Sequence, residues 1–185
     1  MSNGVDYGPL AMLIGTWKGG KGKDVSPEPT GQQEIPFSEV ITFSEVGMVD
    51  NADQQHLAAL GYHQVVTRLD TNKVFHDQMG YWMWDAATGT VMQSLVIPRA
   101  VAVLAGGTFK GDAKGSTVNL YVESKLDDKK WTIAQSPFMQ EKARTLEFYH
   151  TIKVSARELT YRETTMLDIY GKKFKHTDEN TLTKS

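Results

Sequence analysis

Between Gly15 and Thr183 apolar and polar residues alternate in short runs, and each run is closed by turn-forming residues. A period of two sends successive side chains to opposite faces, so each run reads as a half-buried strand rather than a helix. Strands are expected at about 15–21, 37–46, 56–69, 73–84, 90–98, 100–105, 107–113, 116–124, 130–135, 142–153, 158–170 and 174–183, some of them pieces of one bent strand. Asp70-Thr71-Asn72, Ala87-Thr88-Gly89, Gly106-Gly107, Lys114-Gly115, Asp127-Asp128 and Tyr170-Gly171 supply the turns. Roughly ten antiparallel strands joined by hairpins form a meander. A meander of that length leaves open edges unless it closes, so the expected fold is all-β: a roughly ten-stranded antiparallel up-and-down barrel, wide enough to enclose a ligand-sized space. Residues 7–14 read as a short helix ahead of it, with Pro9 at the first helical position and Leu10, Leu13 and Ile14 on one face. The whole, 1–185, reads as one domain with the barrel over 15–183. Gly22 to Glu34, rich in Gly and Pro, is expected to be a loop at a barrel mouth, and Gly47 to Gln55 a polar excursion between strands.

Composition narrows the chemistry. There is no cysteine in 185 residues, which excludes disulfides, thiolate metal sites, a cysteine nucleophile and covalently attached haem. Any metal must be held by His, Asp, Glu, Tyr or Met. Twenty Lys and Arg against 22 Asp and Glu give a net charge of −2 with no basic stripe, so a nucleic-acid partner is not expected and a small molecule is. No run approaches the length of a membrane span and the first residues lack a leader pattern, so a cytoplasmic location is expected.

Five histidines are the candidates, and none has the spacing of a zinc motif. In the last strand, alternation puts Phe174, His176, Asp178, Asn180 and Leu182 on one face, the inner one because it carries Phe and Leu. His176 is then internal, either a ligand or a residue hydrogen-bonded to Asp178 or a backbone carbonyl. In the 73–84 strand, His76, Gln78, Gly80, Trp82 and Trp84 share a face, and Gly80 between bulky residues marks a close approach or bend. Gly15-Thr16-Trp17-Lys18-Gly19-Gly20-Lys21-Gly22 lacks the ending of a phosphate loop; Trp17 is expected to plug one barrel end while Gly19, Gly20 and Gly22 let the strand bend. No nucleophile motif is present, and Asp77, Glu141 and Glu163 show no pairing that spacing proves.

Taken in order, Gly15-Thr16-Trp17-Lys18-Gly19, His76-Asp77-Gln78-Met79-Gly80-Tyr81-Trp82, Asp85…Gly89-Thr90-Val91 with Ile97-Pro98, and a terminal strand with His176 resemble the nitrobindin family over essentially the whole chain. These are haem-binding β-barrels related in fold to lipocalins and fatty-acid-binding proteins. The resemblance implies a non-covalent b-type haem near one mouth, with His176 as the iron ligand, His76 on the distal side, and Gly15, Trp17 and Gly19 in the cofactor-binding set. It further implies ferric iron that binds nitric oxide and isomerises peroxynitrite to nitrate, and it points to a homodimer. The chain departs from the family pattern at Lys21, Glu28, Arg99 and Asp178, which places acidic groups at the mouth. The alternative reading is a lipocalin-like carrier or sensor of a small apolar ligand without haem.

Overall fold

The structure, a computed structural model, describes residues 4–185; residues 1–3, the start of the expected 1–185 span, lie outside the described residues. A 3-10 helix (Gly8–Leu13) is followed by β1 (Gly15–Glu28), β2 (Gly31–Ala52), β3 (Gln55–Arg68), β4 (Val74–Asp85), β5 (Thr90–Ile97), β6 (Val101–Thr108), β7 (Thr117–Lys125), β8 (Ile133–Gln135), α1 (Pro137–Lys142), β9 (Ala143–Ser155), β10 (Glu158–Ile169) and β11 (Lys172–Lys184). Every pairing is antiparallel. The neighbour order β5-β4-β3-β2-β1-β11-β10-β9-β7-β6, with β6 returning to β5, closes a ten-stranded barrel, and β8 adds an extra strand beside β6. The first and last strands are therefore neighbours, which is how a meander removes its edges. No helix among the described residues is long and apolar enough to cross a membrane.

Several expected boundaries are corrected. The segment 22–34 is not a loop: β1 and β2 run on as a hairpin wall to a turn at Pro29-Thr30. The excursion at 47–55 is likewise strand, turning only at Asp53-Gln54, where Asp53 has φ 58°. Gly106-Gly107 is not a turn but lies within β6, and residues 109–116 form no strand. A Cβ on Gly106 would enter the Trp131 ring and one on Gly107 the Tyr121 carbonyl, so these glycines serve close approach rather than reversal. The strand expected at 130–135 shrinks to β8, and α1 was unexpected; Pro137 opens it and the Ser136 hydroxyl accepts from the Met139 N–H at 3.3 Å. By contrast, Tyr170-Gly171 is the turn expected, both residues at positive φ (55° and 74°).

The core has a gradient along the barrel axis. One end is sealed by the 3-10 helix: Leu10, Leu13, Trp17, Leu159 and Leu182 have no exposed surface, and Trp17 Nε1 donates to the Leu13 carbonyl at 2.7 Å. In β1 the pairing with β2 slips between Gly19 and Gly22, the bend that the glycines were expected to permit. Further along, buried polar residues replace apolar ones. Glu39 accepts from Asn180 (2.8 Å), Gln64 (2.7 Å) and Tyr161 (3.1 Å), while Tyr62 Oη accepts from Gln78 (2.8 Å) and Gln93 (2.9 Å).

Gly80, on β4, is where β5 comes closest. A Cβ there would run into the Ser94 carbonyl oxygen, which belongs to rigid sheet rather than a movable side chain. Gly80→Ala is expected to lower stability by about 1–3 kcal/mol, the usual range for forced overpacking. Denaturant midpoints measure it, and a midpoint equal to that of the wild type would contradict the close approach.

Candidate functional site

The polar end is the mouth that carries His176. Alternation along β11 turns His176, Asp178 and Asn180 inward, and the register of β1 against β11 sets Asp24 opposite Asp178 and Val25 opposite Thr177. Asp24 thus reaches His176 across 152 residues of sequence: its Oδ2 lies 2.9 Å from His176 Nε2. Asp178 Oδ2 lies 3.4 Å from the same nitrogen. Asp24 is 3% exposed and its other oxygen, Oδ1, is buried without a hydrogen-bond partner. The His176 side chain keeps 26% of its surface in solvent.

The charges follow from that geometry. Burial works against the His176 cation, but the hydrogen bond to Asp24 and the charges of Asp178, Asp24 and Glu163 push it up to about 9. Burial alone would raise Asp24; His176, with Asp178 and Ser26 adding to it, outweighs burial and holds Asp24 below the ordinary value. Asp178 is raised well above its ordinary value, chiefly by burial and then by the neighbouring carboxylates. Near neutral pH the imidazole is therefore the cation that an ionised Asp24 holds, while burial biases Asp178 towards its protonated form.

Behind the mouth, Phe37, Gln64, Val66, Phe75, His76, Tyr161, Glu163 and Asp178 surround a void of about 10 Å³. His76 faces inward, as the resemblance implies; its Nε2 lies 3.2 Å from Gln78 Oε1, and burial holds it below its ordinary pKa. Burial pushes Glu163 up to about 7. Deeper still, His150 sits 3.7 Å from Glu163, its Nδ1 3.0 Å from Gln93 Oε1 and its Nε2 without a partner, and burial pushes it down to about 3. A second void of about 10 Å³ adjoins it. Each void is about the size of one water. A surface concavity of about 1570 Å³ is lined by residues such as Lys18, Lys21, Lys153 and Thr181 and includes neither His76 nor His176. It lies on the outer wall.

The structure thus gathers His176, His76 and Asp178 at one mouth. Gly15, Trp17 and Gly19 are placed elsewhere: Gly15 and Trp17 lie under the helical plug, and Asn180 fills the space beside Gly19. From Trp17 to Val25, the residue beside the mouth, is on the order of 25 Å along β1. Asp24, Glu163 and His150 are the inner residues that sequence reading did not assign. Inward parity marks Glu163 and His150, but nothing in the sequence sets their depth.

A closed antiparallel barrel, plugged at one end and bearing an inward histidine and converging carboxylates at the other, defines a protein of the β-barrel ligand-binding class. The chain belongs to the THAP4-like, heme-binding beta-barrel domain family, whose model matches residues 6–184. That agrees with the nitrobindin resemblance. Among solved structures it is similar to Rv2717c from M. tuberculosis, with 19% identity and a TM-score of 0.71, covering 95% of this chain and 94% of that one. At that identity the likeness speaks for the fold. No curated protein matches the chain.

Haem, the ligand in the family's description, meets a divided site. The donor is suitable: an inward imidazole on the last strand, in a chain without cysteine. The room is not, because Nε2 is occupied by two carboxylates and the adjacent void is about 10 Å³, whereas a ligand of porphyrin size needs a pocket of several hundred Å³. A macrocycle meets His176 only after Asp24 and Asp178 release it and the mouth opens.

Proposed function

We propose that this protein is a haem-binding barrel of modest affinity, taking b-type haem at the His176 mouth once the mouth opens. Membership of a heme-binding family over residues 6–184 carries the reading, and the inward His176 supports it. When bound, ferric haem would supply nitric oxide binding and the isomerisation of peroxynitrite to nitrate, the activities that the nitrobindin resemblance implies. His176 would hold the iron through Nε2, giving up its bond to Asp24. His76, neutral and inward, would face the ligand from the opposite wall, and the plugged end would keep solvent out from behind.

Two outcomes are expected in a haem titration followed by the Soret band. His176→Ala takes up no haem in the wild-type manner. In the wild type, uptake tightens about tenfold per pH unit between pH 7 and 9, because the imidazole must shed its proton before it can bind iron. Asp24, Asp178 and Glu163 stabilise that proton while His76 opposes it, so the sign follows from the carboxylates. Uptake that is independent of pH and survives His176→Ala would remove His176 as the ligand.

A further inference from the structure

We propose that Asp24, His176 and Asp178 form a binding site for one unchelated divalent cation of the first transition row, such as Zn²⁺, Mn²⁺ or Fe²⁺. This goes beyond the haem reading, since it uses the mouth in its closed form.

The convergence of donors is the first argument. One nitrogen of His176 and one oxygen each of Asp24 and Asp178 lie within 4.8 Å of one another. Two donors each about 2.1 Å from an ion, at angles between octahedral and tetrahedral, are about 3.0–3.4 Å apart. The two contacts to Nε2, 2.9 Å and 3.4 Å, span that interval. Each carboxylate therefore already stands at ligand spacing from His176 Nε2, and the three donors converge within 4.8 Å.

The second argument is competition at one nitrogen. Nε2 carries at most one hydrogen, yet two carboxylate oxygens approach it. A dication in the proton's place serves all three donors at once. The third is independent of both: Asp24 is 97% buried, from its 3% exposure, yet its Oδ1 has no partner. A buried carboxylate oxygen without a donor is costly, and a cation held between Asp24 and Asp178 supplies the missing positive charge. His176, 26% exposed, gives the ion a way in from solvent.

The donor set selects the class. One imidazole and two carboxylates suit borderline cations; Ca²⁺ asks for six to eight oxygens and Cu⁺ for soft sulfur, neither of which this site offers. Three protein ligands leave further positions for water or a small anion.

The test is a titration of the chelator-treated whole chain with Zn²⁺ by calorimetry and with Co²⁺ by its visible absorption. One ion per chain is expected. Asp24→Asn and His176→Ala should each weaken binding by at least about 100-fold, the upper end of the effect of losing even an outer-sphere partner. His63→Ala, which removes an exposed histidine paired with Asp77, should bind as the wild type does. Asp178→Asn, at a less buried ligand, gives the same reading if Asp24→Asn does not fold. Failure to reach one equivalent at millimolar Zn²⁺, or wild-type affinity in these ligand variants, overturns the site. The haem reading is judged separately: haem uptake through His176 without Zn²⁺ binding overturns this site alone. Zn²⁺ binding that blocks haem uptake supports it, because both occupants need the same nitrogen. Zn²⁺ binding in a chain that takes no haem also supports it and removes the haem reading.

Discussion

Trp17→Ala should lower the unfolding free energy by about 3–5 kcal/mol, the range for truncating a fully buried large aromatic. Trp17 has no exposed surface, and Leu13, Leu159 and Leu182, equally buried, belong to the same core cluster. Its indole also does a second job: Nε1 donates to the Leu13 carbonyl at 2.7 Å, tying the 3-10 helix to the start of β1. A six-residue helix does not hold itself together, so that tie and the burial of Leu10 and Leu13 keep the barrel end sealed. Lys184, whose Nζ lies 5.0 Å from the centre of the Trp17 ring, would lose that contact as well. Trp17→Phe should recover only part of the loss, since it keeps one aromatic ring but leaves a smaller cavity and the Leu13 carbonyl without its donor. Guanidinium unfolding reads both variants as a lowered midpoint at unchanged slope. A loss below about 1 kcal/mol for Trp17→Ala would mean the plug collapses to fill the cavity.

Trp17 was legible because burial follows from a large aromatic placed on the inner parity of the first strand. The same logic set the inner face of β11, with His176 and Asp178; on β4, where both faces carry large apolar groups, alternation grouped His76, Gly80 and Trp82 without choosing the inner face. It failed where composition outvoted alternation. Gly22, Pro27 and Pro29 made 22–34 look irregular, yet pairing with β2 holds that stretch in the wall, as tertiary context often overrides strand propensity. The error hid Asp24, the partner that determines the state of His176. Even a correct strand would not have revealed the pair, because the register between the first and last strands is fixed by barrel closure. Glu163 and His150 were missed for a related reason: parity gives the face of a residue, but not its depth, and only depth makes their ionisation unusual.

Glu163→Gln should stabilise the protein above pH 7 and leave it nearly unchanged near pH 4.5. Glu163 is 13% exposed, and burial pushes it up to about 7 from an ordinary 4.5. Its histidine neighbour offers no relief, since His150 is itself held neutral by burial. His176 does attract the ionised form, but less strongly than burial opposes it. Below pH 4.5 both folded and unfolded chains hold the Glu163 proton, and the residue costs nothing. As the pH rises, the unfolded chain releases the proton first while the fold retains it to about 7, so the Glu163 contribution to wild-type stability falls across that window and levels off above it; the further fall from His176, held protonated to about 9, is shared by both proteins apart from the part Glu163 itself adds. The gap is worth on the order of 3 kcal/mol. Glutamine keeps the shape and has no proton to lose, so its stability curve lacks this descent. The titration of His150 lowers stability towards acid in both proteins and cancels in their difference. Denaturant midpoints of the two proteins at pH 4.5, 6, 7 and 8.5 should coincide at the first and diverge up to the third. Curves that run parallel throughout would mean that Glu163 ionises in the fold as it does in water.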